Sequence, residues 1–225
     1  VKNSFNTNLN GGQEGCIIKM DNQLTSIIWS AYLGGTNDDA IYSLALDFNN
    51  DIYVTGGTNS ADFPCTINAY QTTHQDSVAA DAFVTKISAN GGQVLASSYF
   101  GTPQYDQSYF VETGRNNFIY LFGQTASVGT QLVNNANYSV SSGGQFIAIF
   151  NEDLSSVLRS TVVGTGKGTP DISPTAFLVD VCDKIYIAGW GSNLGGSLST
   201  LNLPTTDNAY QKTTDGNDIY LMVLD

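Results

Sequence analysis

Short apolar runs alternate with polar, glycine-containing stretches along the whole chain. In the first clear group these runs cover residues 41–48, 51–58, 81–88 and 93–101, and they are rich in Val, Ile, Tyr, Phe and Thr. These residue types favour β-strands, whereas the Asn, Asp and Gly between the runs favour tight turns. We find no segment of helical length with a 3.6-residue apolar period. The pattern therefore predicts an all-β chain.

Three independent series of motifs repeat along the chain with nearly the same period. Tyr53, Tyr120 and Tyr186 lie in one series and are 67 and 66 residues apart. The other two series are the segments "SAYLGG", "SSYFGT" and "STVVGT", which end near Gly34, Gly101 and Gly164, and the aromatic anchors Phe5, Tyr70, Tyr138 and Tyr210. Four strand-like runs in each repeat, at a fixed period, predict the four-stranded antiparallel blades of a β-propeller.

The phase of the repeat predicts an arc of about three to three and a half blades. Residues 41–101 and 102–164 form one blade each, 165–225 an incomplete blade, and 1–40 the end of a preceding blade with its connector. Propellers avoid open sheet edges by closing into a ring. We therefore expect this arc to belong to a larger ring, completed by further blades of a longer chain or of other copies. We also expect apolar side chains on the two blade faces at the ends of the arc.

Several segments resemble the SBBP repeat, the seven-bladed β-propeller repeat of bacterial proteins. These are "YLGGTNDDAIYSLALDFNNDIYVTGGTNSADFP", "NAYQTT", "DAFVTKIS" and "SSYFG". The resemblance covers nearly the whole chain and is strongest at 29–88. It implies a secreted or cell-surface protein, including the adhesion and gliding-motility proteins exported by the type IX secretion system. The family has no shared catalytic residue set to transfer to this chain.

The charge of the chain excludes two classes of partner. Eight basic and 20 acidic residues give a formal net charge of −12, without the basic surface that binding to nucleic acid requires. Anionic membranes repel such a surface, and no apolar run is long enough to span a bilayer. Only 12% of the residues are charged, so Asn, Thr, Ser, Gln and Gly must supply the polar surface, which is typical of extracellular β-proteins.

Acidic residues precede the inner strand of each predicted blade. Asp38 and Asp39 lie in "TNDDA", and Asp106 and Asp171 take the corresponding place in the next two repeats. Carboxylates on one rim could bind Ca²⁺ or a polar ligand. Aspartates in such loops also cap their own turn, and this second interpretation is the one we favour.

Two further candidates are weaker. Asp47, Asn49 and Asp51 alternate like the start of a calcium loop, but a plain β-turn is the favoured interpretation. Trp190 lies at a strand end and could stack on a sugar, whereas Trp29 is expected in the core. No other cofactor is expected.

The thiols and the single histidine give little support for catalysis. Cys16, Cys65 and Cys182 form no Cys-x-x-Cys pair, and we expect three buried free thiols, with one disulfide and a free thiol as the alternative. His74 is expected to be solvated in a polar loop, and no nucleophile-elbow sequence accompanies it. "GTGKGT" at 164–169 lacks the spacing of a phosphate-binding loop. The chain is therefore not expected to be an enzyme.

These features predict a non-enzymatic extracellular propeller segment. It would act as a surface scaffold or binding module for a protein or a glycan, in adhesion, motility or secretion. The alternative is a carbohydrate-active or glycan-binding domain that uses an acidic and aromatic rim.

Overall fold

The structure is a computed structural model that describes residues 4–75, 78–192 and 198–225. Within these ranges the chain is all-β, and its single helical element is a 3₁₀ turn at Arg115–Asn117. The strands are β1 (Gly15–Met20), β2 (Ile27–Leu33), β3 (Asp39–Leu46), β4 (Ile52–Thr58), β5 (Asp81–Ile87), β6 (Val94–Phe100), β7 (Asp106–Thr113), β8 (Ile119–Thr125), β9 (Gln145–Phe150), β10 (Val157–Val163), β11 (Ser173–Val179), β12 (Ile185–Trp190) and β13 (Ile219–Leu224).

The strands form four antiparallel sheets arranged as propeller blades. Strands β3 to β6 form the first blade and β7 to β10 the second, each in sequence order. A leading pair, β1 and β2, precedes them, and a trailing sheet of β11, β12 and β13 follows. Strand β3 contacts β7, and β7 contacts β11, so the first strands of successive blades line the inside of the arc. The predicted all-β propeller architecture is confirmed, and the first blade begins two residues before position 41.

Aromatic and branched side chains fill the junctions between the sheets. At the junction of the two blades, the Phe100 ring lies 5.1 Å from the Phe146 ring and 5.6 Å from the Phe150 ring, centroid to centroid. Trp29 of the leading pair is only 2% exposed and packs against the first blade, as expected for a core residue. Apolar burial of this kind is the main force that holds the blades face to face.

The same kind of side chain is exposed at the two ends of the arc. Leu44 and Leu46 of β3 face the side where the leading pair has no inner strands, and Leu44 is 59% exposed. At the other end, Leu221 of β13 is 68% exposed, while the alternate residues Met222 and Leu224 pack against the second blade. The expected apolar end faces are therefore present.

Long connections between the second and third strands cover the outer edges of the blades. In the first blade, Thr66 N donates to Ser97 O and Tyr99 N donates to Gln71 O, which ties the connection to β6. Tyr70 continues to the next blade, where its amide donates to Leu154 O. These contacts protect the β6 edge, which would otherwise be open to pairing with another strand.

In two of the turns between the first and second strands, an aspartate side chain accepts hydrogen bonds from the turn amides. Asp47 Oδ1 accepts hydrogen bonds from Asn49 N (2.8 Å) and Asp51 N (2.9 Å), as the turn interpretation requires. Asp180 does the same in the trailing sheet with the amides of Cys182 and Lys184. The second blade has Gly114 at this position and forms the 3₁₀ turn instead.

Two expectations about thiols and histidine need correction. All three cysteines are free, but Cys16 and Cys182 are exposed and only Cys65 is half-buried. Cys16 alternates with buried Ile17 along β1, and Cys182 lies in an exposed turn. His74 is also not simply solvated, because its ring packs edge-on against Tyr99 and its Nε2 lies 3.0 Å from Thr58 O.

Candidate functional site

One edge of the arc carries both the long connections and the loops that join successive sheets. We call this the connection edge, and we call residues 34–38, 101–105 and 164–172 the junction loops. Each junction loop leaves the fourth strand of one sheet and enters the first strand of the next. Asp38, Asp39, Asp106 and Asp171 all lie on this edge, but they do not converge on one pocket.

Three of these aspartates are buried and hold the junction loops in place. Asp39 is 1% exposed, and Asp106 and Asp171 are 0% exposed. Their Oδ2 atoms accept hydrogen bonds from Gly35 N (2.7 Å), Thr102 N (2.6 Å) and Thr165 N (2.9 Å), respectively. A hydrogen bond from a backbone amide to an ionised carboxylate is strong, so each aspartate holds the chain in position where it enters the next blade.

A second acidic residue lies next to two of the buried aspartates. Burial raises the pKa of Asp39, and the negative charge of Glu14 contributes to the rise. Burial also raises the pKa of Asp106 to about 7, with a smaller contribution from Asp81. The backbone brings each pair together, since Asp39 N donates to Gln13 O (2.9 Å) and Asp106 N donates to Ala80 O (2.8 Å).

Glycines make room for these carboxylates. A Cβ atom at Gly34 would lie 2.5 Å from Asp39 Oδ2 and 3.0 Å from Glu14 Cγ. A Cβ at Gly101 would lie 2.4 Å from Asp81 Oδ1. The repeated glycine of the "YLGG" and "YFGT" segments is thus required by the acidic side chains packed on it.

Asp38 differs from its neighbour because it is exposed beside the first junction loop. It lines a cleft of about 350 Å³, and a second cleft of about 580 Å³ shares Thr36 with it. The first cleft is lined by Gly12, Thr36, Asn37, Asp38, Asn59 and Val78. The second is lined by Phe5, Asn6, Asn10, Leu33, Gly34, Gly35, Thr36, Asp62 and Pro64. The clefts combine amide, hydroxyl and carboxylate groups with a few apolar side chains.

Trp190 lies away from these clefts, on the apolar end face of the trailing sheet. It is the last residue of β12 and pairs with Ile219 of β13. The corresponding residues of the two blades, Gly57 and Gln124, contact the following sheet; Gln124 Nε2 donates to Ile172 O at 2.7 Å. The structure thus places Trp190 at a position for contact between blades.

Asp47, Asn49 and Asp51 lie at the opposite edge, where an ammonium group lies between the two carboxylates. Lys86 Nζ lies 3.0 Å from Asp47 Oδ2 and 3.7 Å from Asp51 Oδ2. Lys86 Nζ also bonds Glu152 Oε1 of the second blade at 2.8 Å. The group is an ion network between blades, which gives these residues a structural role.

Glu14, Asp81 and Lys86 had no place in the sequence-based candidates. Glu14 and Asp81 occupy the same position, directly before or at the start of a third strand, and Asp218 occupies it in the trailing sheet. An alignment of the repeats by their third strands would have shown this recurring acid.

The described part of the chain contains no cluster of three or more His, Cys, Asp or Glu residues that could hold a metal ion. No helix within the described ranges is long and apolar enough to cross a membrane.

A family model matches one part of the chain. Residues 28–64 match the model described as SBBP, a β-propeller repeat. The matched segment runs from β2 through the first junction loop, β3 and β4 into the long connection. No curated protein matches the chain. The match and the four stacked antiparallel sheets together show that this is an all-β chain built from β-propeller blades and carrying an SBBP-type repeat.

Proposed function

We propose that the chain is a non-enzymatic propeller module that acts as a scaffold and binds a glycan or a protein at its connection edge. The observation that carries the proposal is the pair of clefts beside the first junction loop. Volumes of about 350 and 580 Å³ suit a small ligand or one or two residues of a larger one. Their amide and carboxylate groups are suited to hydrogen bonding with hydroxyl groups.

The proposal also concerns the setting of the protein. A surface built mainly from Asn, Thr, Ser, Gln and Gly, together with the SBBP-type repeat, supports a secreted or cell-surface location. Export by the type IX secretion system, with a role in adhesion or gliding motility, is the route that the resemblance favours. In such a protein the junction-loop aspartates hold the blades, and the exposed loops provide the contacts.

Charge reversal at the cleft tests the binding role. We would measure binding of the chain to an array of neutral and acidic oligosaccharides, and compare Asp38→Lys with Asp207→Lys. Asp207 is an exposed residue of the long connection in the trailing sheet, so both variants change the net charge equally. We expect saturable binding that Asp38→Lys weakens by about tenfold or more, as loss of a good polar contact does, and that Asp207→Lys leaves unchanged.

Two results would overturn glycan binding at the clefts. Equal binding of the two variants, or no binding to any member of the array, would exclude the clefts as a glycan site. Release of new reducing ends from an oligosaccharide would support the carbohydrate-active alternative instead.

A further inference from the structure

The junctions between sheets contain a repeated pairing of carboxylates, one of them fully buried, that the blade architecture alone does not require. At the first junction, Glu14 Cγ and Asp39 Oδ2 both lie within 3.0 Å of the place where a Cβ atom at Gly34 would be, and at the second, the Asp106 amide donates to Ala80 O, directly beside Asp81. Gly34 of the first junction loop leaves space for both side chains, and Gly101 of the second leaves space for Asp81. Two negative charges placed together in a buried site repel each other strongly.

The hydrogen bonds account for only part of each pair. Asp39 Oδ2 accepts from Gly35 N and Ser60 Oγ, and Glu14 Oε1 accepts from Gly11 N. Asp39 Oδ1 and Glu14 Oε2 are buried and have no partner with ordinary hydrogen-bond geometry. The Thr58 hydroxyl gives the Asp39 carboxylate a further, weak hydrogen bond and also places a neutral oxygen beside it.

The second junction repeats this arrangement. Asp106 Oδ2 accepts from the amide and the hydroxyl of Thr102, at 2.6 and 2.7 Å. Asp106 Oδ1 is buried without such a partner, and the Thr125 hydroxyl takes the place of Thr58. Buried polar atoms are normally satisfied, so the same oxygen in two repeats requires an explanation.

The third junction contains an internal comparison. Gly144 stands where the other two junctions have Glu14 and Asp81, so among the described residues this position supplies no second carboxylate to Asp171. Here the chain supplies a positive charge, because Lys167 Nζ lies 3.3 Å from Asp171 Oδ1. Where one carboxylate is lost, an ammonium group is bound to the other.

We propose that the Glu14–Asp39 and Asp81–Asp106 pairs each bind one divalent cation, with Ca²⁺ as the matching hard ion. Carboxylate and hydroxyl oxygens are the ligands that Ca²⁺ prefers. Each site has only two carboxylates, and a low ligand charge gives the weak, millimolar binding of extracellular modules. Each cation would tie the third strand of one sheet to the first strand of the next. The proposal does not depend on the glycan-binding clefts.

Thermal unfolding of the intact chain in EDTA or in millimolar CaCl₂ tests the proposal. The variants are Asp39→Asn, Asp106→Asn and the double variant, with Asp38→Asn as the control on the same loop. We expect millimolar Ca²⁺ to raise the Tm of the chain and of Asp38→Asn by about 4 °C or more, with roughly half the shift in each single variant. The double variant should show no shift, and calorimetric titration with Ca²⁺ should give two sites in the parent chain and none in the double variant.

The contrary results are equally clear. An unchanged Tm in Ca²⁺, with no heat of binding, would overturn the proposal. In that case, a Tm of Asp106→Asn that exceeds the Tm of the parent chain only above neutral pH would show that the two carboxylates share a proton instead. An equal shift in the double variant would mean that Ca²⁺ only screens the acidic surface, and it would also overturn the proposal.

Discussion

The neighbouring residues Asp38 and Asp39 show how the position of a strand start separates two similar side chains. Strand β3 begins at Asp39, whose carboxylate turns inward to the junction loop, while Asp38 remains exposed beside the cleft. The sequence identifies both as acidic residues before a strand. It does not show which one is buried, since a shift of one residue exchanges the two faces of a strand.

The thiols allow a prediction at the scale of single residues. Burial raises the pKa of Cys65 to about 11, whereas Cys16 and Cys182 are exposed. Only the thiolate reacts, so at about pH 8 we expect iodoacetamide to modify Cys65 at least about tenfold more slowly than the other two. Peptide mass spectrometry after timed alkylation measures the three rates.

Denaturant provides the control for the alkylation experiment. In high urea the three thiols should react at similar rates, because the burial of Cys65 is lost. Equal rates in the native chain would contradict the packing of Cys65 beside Phe63 and Tyr99.

Charged contacts between blades matter at the scale of strands and turns. Lys86 is on the third strand of the first blade, and Glu152 is in a turn of the second. Burial alone would lower the pKa of Lys86, but its bonds to Glu152, Tyr53 and Asp47 outweigh this and raise it. Lys86 thus stays charged and neutralises Asp47, whose side chain is 1% exposed.

Removing this ammonium group should be costly. We expect Lys86→Met to lower the free energy of unfolding by about 3 kcal/mol or more, because it leaves a buried carboxylate without its counter-charge. The matched control is Lys184→Met, which breaks the exposed pair with Asp225 and should have little effect on stability. Urea unfolding measures the free energy of unfolding of both variants. Similar losses would show that the Lys86 network contributes no more to stability than an exposed ion pair.

The same network predicts a pH dependence. The hydrogen bond from Lys86 lowers the pKa of Glu152 below its ordinary value of 4.5. The contribution of Glu152 to stability is therefore complete above its unfolded-state pKa of 4.5 and is lost as the pH falls through its lower, folded-state pKa. Glu152 is partly exposed, so we expect a contribution below about 1 kcal/mol, seen as a shallower acid limb for Glu152→Gln in urea midpoints from about pH 6 to pH 3. If Glu152→Gln has the same effect in a Lys86→Met background, the pair is not its source.

At the scale of the whole molecule, the fold was predictable from local signals and the sites were not. Strand runs and Asn/Asp/Gly turns are local to one blade, and the repeat period shows how often that blade recurs. Together they predict the sheets seen in the structure. The carboxylate pairs and the Lys86 network join different sheets. Lys86 and Glu152 are 66 residues apart, and their contact depends on how the blades stack. Contacts of this range are not visible in the composition or spacing of a single repeat.

Blade stacking also predicts how the isolated arc behaves in solution. Leu221 is part of an exposed apolar end face, and the residues at its position in the two blades, Val84 and Ile147, are buried at the internal junctions. Burial of such a face contributes about 25 cal/mol for each Å² of apolar surface, so we expect the arc to self-associate through it as concentration rises. Leu221→Lys should shift the equilibrium to monomer, because burying an unpaired ammonium in this contact is unfavourable. Val128→Lys, which replaces an exposed valine on a long connection, should leave association unchanged. Sedimentation velocity of the three proteins measures the association. A parent chain that stays monomeric, or equal effects of the two lysines, would mean that the end face does not drive contact between copies.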